Sequence, residues 1–194
     1  IGLVGTELIN LMRKNDSLKV CGISNSQNMI IDNNGLKLDD VKNNLSTGEK
    51  ADLDTFISMA SQTHKAVLVD VTSSSIIAEK TASIIEKGIS VVTASKLANS
   101  MNQDYYDSIR KNLKISGAQF KYETNVGAGL PIIETLQTLI NTGDKIEKIE
   151  GIMSGTLSYL FSQFDGSVPF SEVVKNAQES EFTEPDPRDD LNGM

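Results

Sequence analysis

The chain has 194 residues, enough for one large domain or for a domain and part of another, with a composition ordinary for a soluble globular protein. Its net charge of -8 argues against nucleic acid, whose phosphates call for a basic stripe, and its apolar runs are too short to span a bilayer. One cysteine, Cys21, excludes an internal disulfide and a cysteine-rich metal site, and one histidine, His64, argues against a histidine-rich zinc site. The chain begins at Ile1 on a glycine turn and stops at Met194, so both ends read as cuts through a longer protein.

Gly2-Leu3-Val4-Gly5 opens into a helix with Leu8, Leu11 and Met12 at helical spacing. Residues 19–23 then read as a strand, which makes the start of the chain the later part of a βαβ unit. Gly2 and Gly5 have the spacing of the second and third glycines of a dinucleotide fingerprint. The second lets backbone approach a pyrophosphate, and the third lets helix pack on strand. A tight turn before a helix fits the same residues equally well. Roughly 20 residues on, where a carboxylate would read the ribose, stand Ser24, Asn25 and Ser26. Small polar residues there permit NADP.

Residues 28–62 carry a turn signal at 32–35 and a short helix near 52–59. His64 reads as a surface or strand-edge residue. Residues 66–72 are nearly continuous in apolar side chains, as a strand buried on both faces requires. Ser73, Ser74 and Ser75 offer caps for a helix that Gly88 ends, and residues 89–93 form the next strand. Strand, helix and strand repeat, so the expected fold is α/β: a Rossmann-type, doubly wound parallel sheet without its first strand. Ligands bind such sheets at the carboxyl ends of strands. That rule gives weight to two loops, one at Thr72 and Ser73, the other leading to Lys96.

A helix near 103–113 follows, then a half-exposed strand at 118–122. The loop from Glu123 to Pro131 holds two glycines flanking Ala128, and its backbone could serve a hard cation or a nucleotide. Pro131 starts a helix with an expected buried stripe of Ile132, Ile133, Leu136, Leu139 and Ile140. Residues 145–153 alternate charged and apolar residues as a strand with one wet face would. Two helices follow, with stripes through Leu157, Leu160, Phe161 and Phe164 and through Phe170, Val173, Val174 and Ala177. The change in strand character near 120 divides the chain into a nucleotide-binding domain at 1–119 and a partial, incomplete α+β substrate or dimerisation domain at 120–194. The last stretch crowds Glu184, Asp186, Asp189 and Asp190 around Arg188, with Pro185 and Pro187 expected to keep it stiff and non-helical. Such a wall of carboxylates suits a substrate ammonium.

Several stretches together resemble homoserine dehydrogenase: Gly2-Leu-Val-Gly5, Asp70-Val-Thr-Ser-Ser74, Val91-Val-Thr-Ala-Ser-Lys-Leu-Ala-Asn99, Val126-Gly-Ala-Gly-Leu-Pro131, Glu150-Gly-Ile-Met-Ser-Gly-Thr-Leu-Ser-Tyr159 and Thr183-Glu-Pro-Asp-Pro-Arg-Asp-Asp-Leu-Asn-Gly193. They run nearly end to end, and the last two are highly specific. Residues 20–25 look most like the dehydrogenase half of bifunctional aspartokinase–homoserine dehydrogenases, which implies a kinase upstream. The resemblance implies NAD(P)-dependent interconversion of L-homoserine and L-aspartate 4-semialdehyde, a homo-oligomer, and a cytoplasmic protein, or a plastid one in a plant. Residue by residue, it places cofactor contacts at Gly2, Leu3, Val4, Gly5, Asn25, Thr72, Ser73 and Lys96. Lys96 lies beside nicotinamide and substrate and is the catalytic residue the resemblance implies within these 194 residues. Substrate-binding acids fall at Glu184 and Asp190. A monovalent cation, sodium in the expected case, falls at Glu123, Val126, Ala128 and Leu130, largely through backbone oxygens.

The chain departs from the family in two places. Thr93-Ala-Ser-Lys96 stands where the family has Thr-Pro-Asn-Lys, keeping the lysine. The family's motif continues past Gly193 to an Asp and a proton-donating Lys, so the 194 residues alone are expected to be inactive. Other readings compete less well. A calcium-binding loop would place Arg188 at its first ligand position. A semialdehyde dehydrogenase needs a nucleophilic cysteine, and Cys21 falls within a predicted strand. A non-catalytic Rossmann-type regulator keeps the cofactor site but has no use for Glu184 and Asp190.

Overall fold

The computed structural model describes residues 1–184 and 186–192. Two compact units divide it, Ile1–Tyr122 and Glu123–Met194. What was expected of Pro185, Gly193 and Met194 lies outside the described residues.

In the first unit, α1 (Leu3–Met12) follows Gly2 directly. A small antiparallel sheet comes next, built from β1 (Gly22–Ser24), β2 (Asn28–Ile31) and β3 (Glu49–Lys50), with α2 (Val41–Ser46) inserted before β3. The expected strand at 19–23 is thus shorter and shifted. It pairs antiparallel with β2, Ile23 opposite Ile30, instead of continuing a parallel sheet. The turn at 32–35 forms as its residues dictate: Asn34 N–H donates to Asp32 Oδ1 and Gly35 N–H to Asp32 O. The helix near 52–59 is α3 (Leu53–Ser61), capped by Asp52, whose carboxylate accepts from the N–H groups of Asp54 and Thr55. Those bonds hold the Asp52 carboxyl below its ordinary value. His64 is exposed between α3 and the next strand.

The parallel sheet is β4 (Val67–Asp70), β5 (Ser90–Thr93) and β6 (Phe120–Lys121), in that order, with Val69 opposite Val92 and Val91 opposite Phe120. The crossovers are α4 (Ser75–Glu86), then α5 (Leu97–Ser100) with α6 (Gln103–Ser116). This is the βαβ repeat that the periodicity predicts, and the chain is α/β of Rossmann type. α4 and α6 pack against one face of the sheet. There Leu68, Val91 and Phe120 meet Ile84, Ile85 and Ile109, the last three no more than 0% exposed. Tyr105 ties the two helices together: its hydroxyl donates to Ala78 O at 2.5 Å and accepts from Ala82 N at 3.2 Å. Burial raises the Tyr105 hydroxyl above its ordinary value. The other face differs from expectation. β4 alternates, with Val67 55% and Val69 42% exposed, so its apolar run is buried on one side only. Leu11 of α1 is likewise exposed, while Leu8 and Met12 are half-buried.

The second unit holds a 3₁₀ turn at Glu123–Asn125 and four helices: α7 (Ile132–Asn141), α8 (Gly155–Gln163), α9 (Phe170–Glu179) and α10 (Pro187–Asn192). Its core is Leu160, Val173 and Ala177, with Leu157, Tyr159, Phe170 and Val174 packed around it. Ser154 caps α8 by accepting from Leu157 N–H. Phe161 and Phe164 leave this core and meet Phe170 at the surface instead, with ring centroids 6.1 and 5.2 Å away.

Three expectations fail in this unit. No strand forms at 145–153, where Ile146, Ile149 and Ile152 are exposed. An alternating segment becomes a strand only when another strand takes up its N–H and C=O groups, and among the described residues none lies beside it. The α7 stripe is not buried: Ile132, Ile133 and Leu136 are half-buried, while Leu139 and Ile140 are exposed. The acidic stretch is not wholly non-helical either, because α10 starts at Pro187. Proline fits the first helical turn, where its missing N–H has no partner to lose. Asp186 supplies the cap, its Oδ1 accepting from Arg188 N–H at 3.0 Å. Among the described residues, no helix is long and apolar enough to cross a membrane.

Candidate functional site

The first unit's candidate residues lie at the start of α1, after β1, and at the carboxyl ends of β4 and β5. Gly5 is the buried residue of α1, and a Cβ there would stand 2.9 Å from Ile1 Cγ2 and 3.5 Å from Val71 Cγ2. The helix start thus lies close to the segment leaving β4, at ordinary packing distance from Val71. Around Gly2 nothing lies within 4 Å of a would-be Cβ. Leu3 and Val4, the first residues of α1, are exposed at 69% and 55%.

Asn25 follows the end of β1 and folds back on its own turn, its Oδ1 accepting from the N–H groups of Gln27 and Asn28 at 2.8 Å. It lines a cavity of about 370 Å³ together with Gln27, Asn28, Ser46 and Lys42. No carboxylate lines this cavity. Lys42, on the first turn of α2, is the residue that sequence reasoning missed. It lies far along the chain from Asn25, and no spacing rule connects them. Ile1 and Leu45 complete a mainly polar lining in which Lys42 is the one cationic side chain.

Thr72 and Ser73 follow β4, and Lys96 follows β5. A hydrogen-bonded network joins their loops. Asp70 Oδ1 accepts from Thr72 N–H at 2.9 Å and from Thr72 Oγ1 at 2.8 Å, while its Oδ2 accepts from Thr93 Oγ1 at 3.2 Å. Ser73 is exposed. Lys96 is exposed at the cap position of α5, its carbonyl accepting from Asn99 N–H. From the far side, Arg110 of α6 holds α5: its Nη2 donates to Asn99 Oδ1 at 3.1 Å and to Tyr122 Oη at 3.3 Å. The guanidinium stacks over the Tyr106 ring, 4.1 Å from its centroid.

In the second unit, the Glu123 carboxylate accepts from Ile133 N–H and Glu134 N–H, both at 2.9 Å, so it caps α7 where Pro131 has no N–H to offer. Between them the loop turns through left-handed backbone at Gly127 (φ 73°) and Ala128 (φ 51°). For alanine that conformation costs about 1–2 kcal/mol. Leu130 O accepts from Ile132 N–H at 2.9 Å. Among the described residues, no group of three or more His, Cys, Asp or Glu could hold a metal ion, so a cation at this loop would rely on backbone oxygens.

The structure brings Glu184 and Asp190 together: Glu184 N–H donates to Asp190 Oδ2 at 2.8 Å. Asp186 does not join them. It pairs with Arg188, Nε at 2.8 Å and Nη2 at 2.5 Å, and this guanidinium holds its carboxyl down at about 2. One of the crowded acids is therefore paired locally, while the Asp190 carboxylate turns back onto the Glu184 backbone. The stretch is anchored by the segment that precedes it. Thr156 Oγ1 donates to Phe182 O at 2.8 Å, and the Tyr159 and Phe182 rings lie 4.9 Å apart.

Both halves match family descriptions. Residues 1–123 match "Homoserine dehydrogenase, NAD binding domain", and residues 131–194 match "Homoserine dehydrogenase". The chain belongs to the homoserine dehydrogenase family. It is 44% identical over 205 residues to the bifunctional aspartokinase/homoserine dehydrogenase of Haemophilus influenzae, covering 100% of this chain and 25% of that protein. It is 41% identical over 211 residues to the homoserine dehydrogenase of Schizosaccharomyces pombe, covering 100% of this chain and 56% of that one. The chain thus spans a quarter to about half the length of these relatives. A hyperthermophilic archaeal homoserine dehydrogenase solved in complex with NADPH has the same fold. Its TM-score is 0.80 at 22% identity, over 97% of this chain and 61% of that one.

Proposed function

We propose that the protein carrying this chain interconverts L-homoserine and L-aspartate 4-semialdehyde with a nicotinamide cofactor. What supports the reading is that one family's two halves, the nucleotide-binding part and the acidic stretch, occur in order along one chain. A bound nicotinamide would exchange a hydride with the carbon that bears the hydroxyl in homoserine. The protein's part is to bind, orient and charge-match. Gly2, Leu3, Val4 and Gly5 offer the turn and helix start for the pyrophosphate. Thr72 and Ser73 border the cofactor, Ser73 with its hydroxyl and N–H and Thr72 as a turn fixed by its bonds to Asp70. Lys96 places a cation where the alkoxide develops. Glu184 and Asp190 take the substrate's ammonium and polar groups.

The finer assignments belong to the same proposal. The cofactor is NADP, because the cavity beside Asn25 carries Lys42 and no acid. A sodium ion sits on the backbone oxygens around Glu123, Val126, Ala128 and Leu130. The first unit serves as the cofactor domain and the second as the substrate domain, with β6 kept in the first, so the division falls just past the 119/120 expected from sequence. The full-length protein is a homo-oligomer with an aspartokinase region upstream, as the name of the Haemophilus relative describes for that protein. It works in the cytoplasm, or in the plastid of a plant.

The test is Glu184→Gln in the full-length protein, which keeps size and removes charge. We expect homoserine-dependent NADP reduction to lose at least about tenfold in kcat/KM, the size of one charge-assisted hydrogen bond, with NADPH affinity unchanged. Unaltered homoserine turnover would remove Glu184 from the substrate site.

A further inference from the structure

The geometry points to Asp70 as a positioning residue that fixes the two cofactor loops against each other. It is 4% exposed and ends β4, and Thr93, also 4% exposed, ends β5 beside it. One carboxylate oxygen serves the β4 loop through Thr72 N–H and Thr72 Oγ1, and Thr72 Oγ1 accepts in turn from Ser74 N–H at 3.1 Å. The other serves the β5 loop through Thr93 Oγ1, which accepts from Ser95 N–H at 2.9 Å. Ser95 Oγ then accepts from Leu97 N–H at 3.4 Å, at the first residue of α5. The backbone repeats the link, with Ala94 N–H donating to Asp70 O at 2.9 Å.

Stability alone gives poor reason for this arrangement. A carboxylate loses its hydration when buried, and a β-branched apolar pair on adjacent strands would fill the same space without that loss. What the carboxylate provides is direction: two oxygens in one plane fix two loops at one separation. Asp70, Thr93 and Ser95 are three of the four buried polar or charged residues among those described, and all three belong to this network. On the reading proposed above, the loops so joined carry Thr72, Ser73 and Lys96. Asp70 touches neither cofactor nor substrate, and acts by holding these residues at the spacing the cofactor needs.

The experiment uses Asp70→Asn, Thr93→Val and the double variant in the full-length protein. NADPH binding is followed by nucleotide fluorescence, and homoserine oxidation by steady-state kinetics. Asp70→Asn keeps the volume but turns one acceptor into a donor that faces a donor. We expect its Kd for NADPH and KM for NADP to rise about tenfold, with the KM for homoserine within about twofold. Thr93→Val moves the same two parameters by a smaller factor, and the double variant is no worse than Asp70→Asn, since both break one link. An unchanged Kd in both single variants overturns the proposal. So does a fall in kcat alone with Kd and both KM values unchanged, which is the mark of a smaller folded fraction. If Asp70→Asn does not fold, Thr93→Val decides by the same criterion. The binding measurement needs no substrate. A protein that binds NADPH but does not oxidise homoserine therefore defeats the proposed reaction while still testing Asp70, and one that does not bind NADPH defeats both.

Discussion

The two units differ in how large a core they seal. Among the described residues, the first closes a sheet and two helices over a continuous core, with Ile84, Ile85 and Ile109 sealed from solvent. The second seals only Leu160, Val173 and Ala177, and leaves Ile140, Ile149, Ile152 and Phe161 each more than half exposed. Periodicity in a sequence marks which face is apolar. It does not supply the surface that covers that face. The first unit covers one face of its parallel sheet with its own helices, although Leu3, Leu11, Val67 and Ile115 stay more than half exposed, and its local order rests more on packing. The second draws a larger share of its order from caps and tethers, such as Ser154 on α8, Glu123 on α7 and Thr156 on Phe182.

Truncating the small core is the severest test of this contrast. Leu160→Ala removes a side chain that is 0% exposed, a change worth roughly 2–5 kcal/mol. Its amide exchange is expected to rise throughout α8 and α9 while β4 and β5 stay protected. Equal loss of protection in both units would show that they unfold as one. Next come the caps. Asn102→Ala and Ser154→Ala each remove a side-chain acceptor from a helix start, for about 1 kcal/mol in either case. Circular dichroism during denaturation should show the Ser154 variant losing helix before the main transition, and the Asn102 variant shifting the main transition as a whole. Identical behaviour would break the comparison.

The smallest effect is electrostatic and local. Asp186 has its carboxyl lowered to about 2 by Arg188. A depressed carboxyl contributes stability above its unfolded value and loses it as pH falls through its folded value. The cap on α10 should therefore hold below pH 4 and give way only towards pH 2. Carboxyl carbon NMR titration reads this directly, and Arg188→Gln should return Asp186 to the ordinary carboxylate range. A midpoint already ordinary in the unaltered chain would dissolve the pair.

How much of this was legible follows from the same physics. The alternation of β4, α4 and β5 could be read because strand period, helix period and Gly88 agreed, and each element finds its partner nearby. The half-open face of β4 could not, because a run of valines looks alike whether one or both faces are covered. The strand expected at 145–153 had the right pattern without a pairing strand. Pro187 was read as a helix breaker, although the first turn is the one place where proline and a preceding aspartate favour a helix. The candidate site was legible as motifs, loop by loop. Two of its features lay outside sequence reasoning because they join positions distant in the chain: Lys42 beside Asn25, and the carboxylate of Asp70 spanning two strands.

The contact between Tyr159 and Phe182 offers an optical handle. The chain has no tryptophan and four tyrosines, three of which, Tyr105, Tyr106 and Tyr122, lie in the first unit. Tyr159 is the second unit's own chromophore, and it rests on the residue two positions before Glu184. Its near-ultraviolet dichroism arises from a ring held in a fixed asymmetric setting, so a ligand that rearranges the acidic stretch would announce itself there without any label.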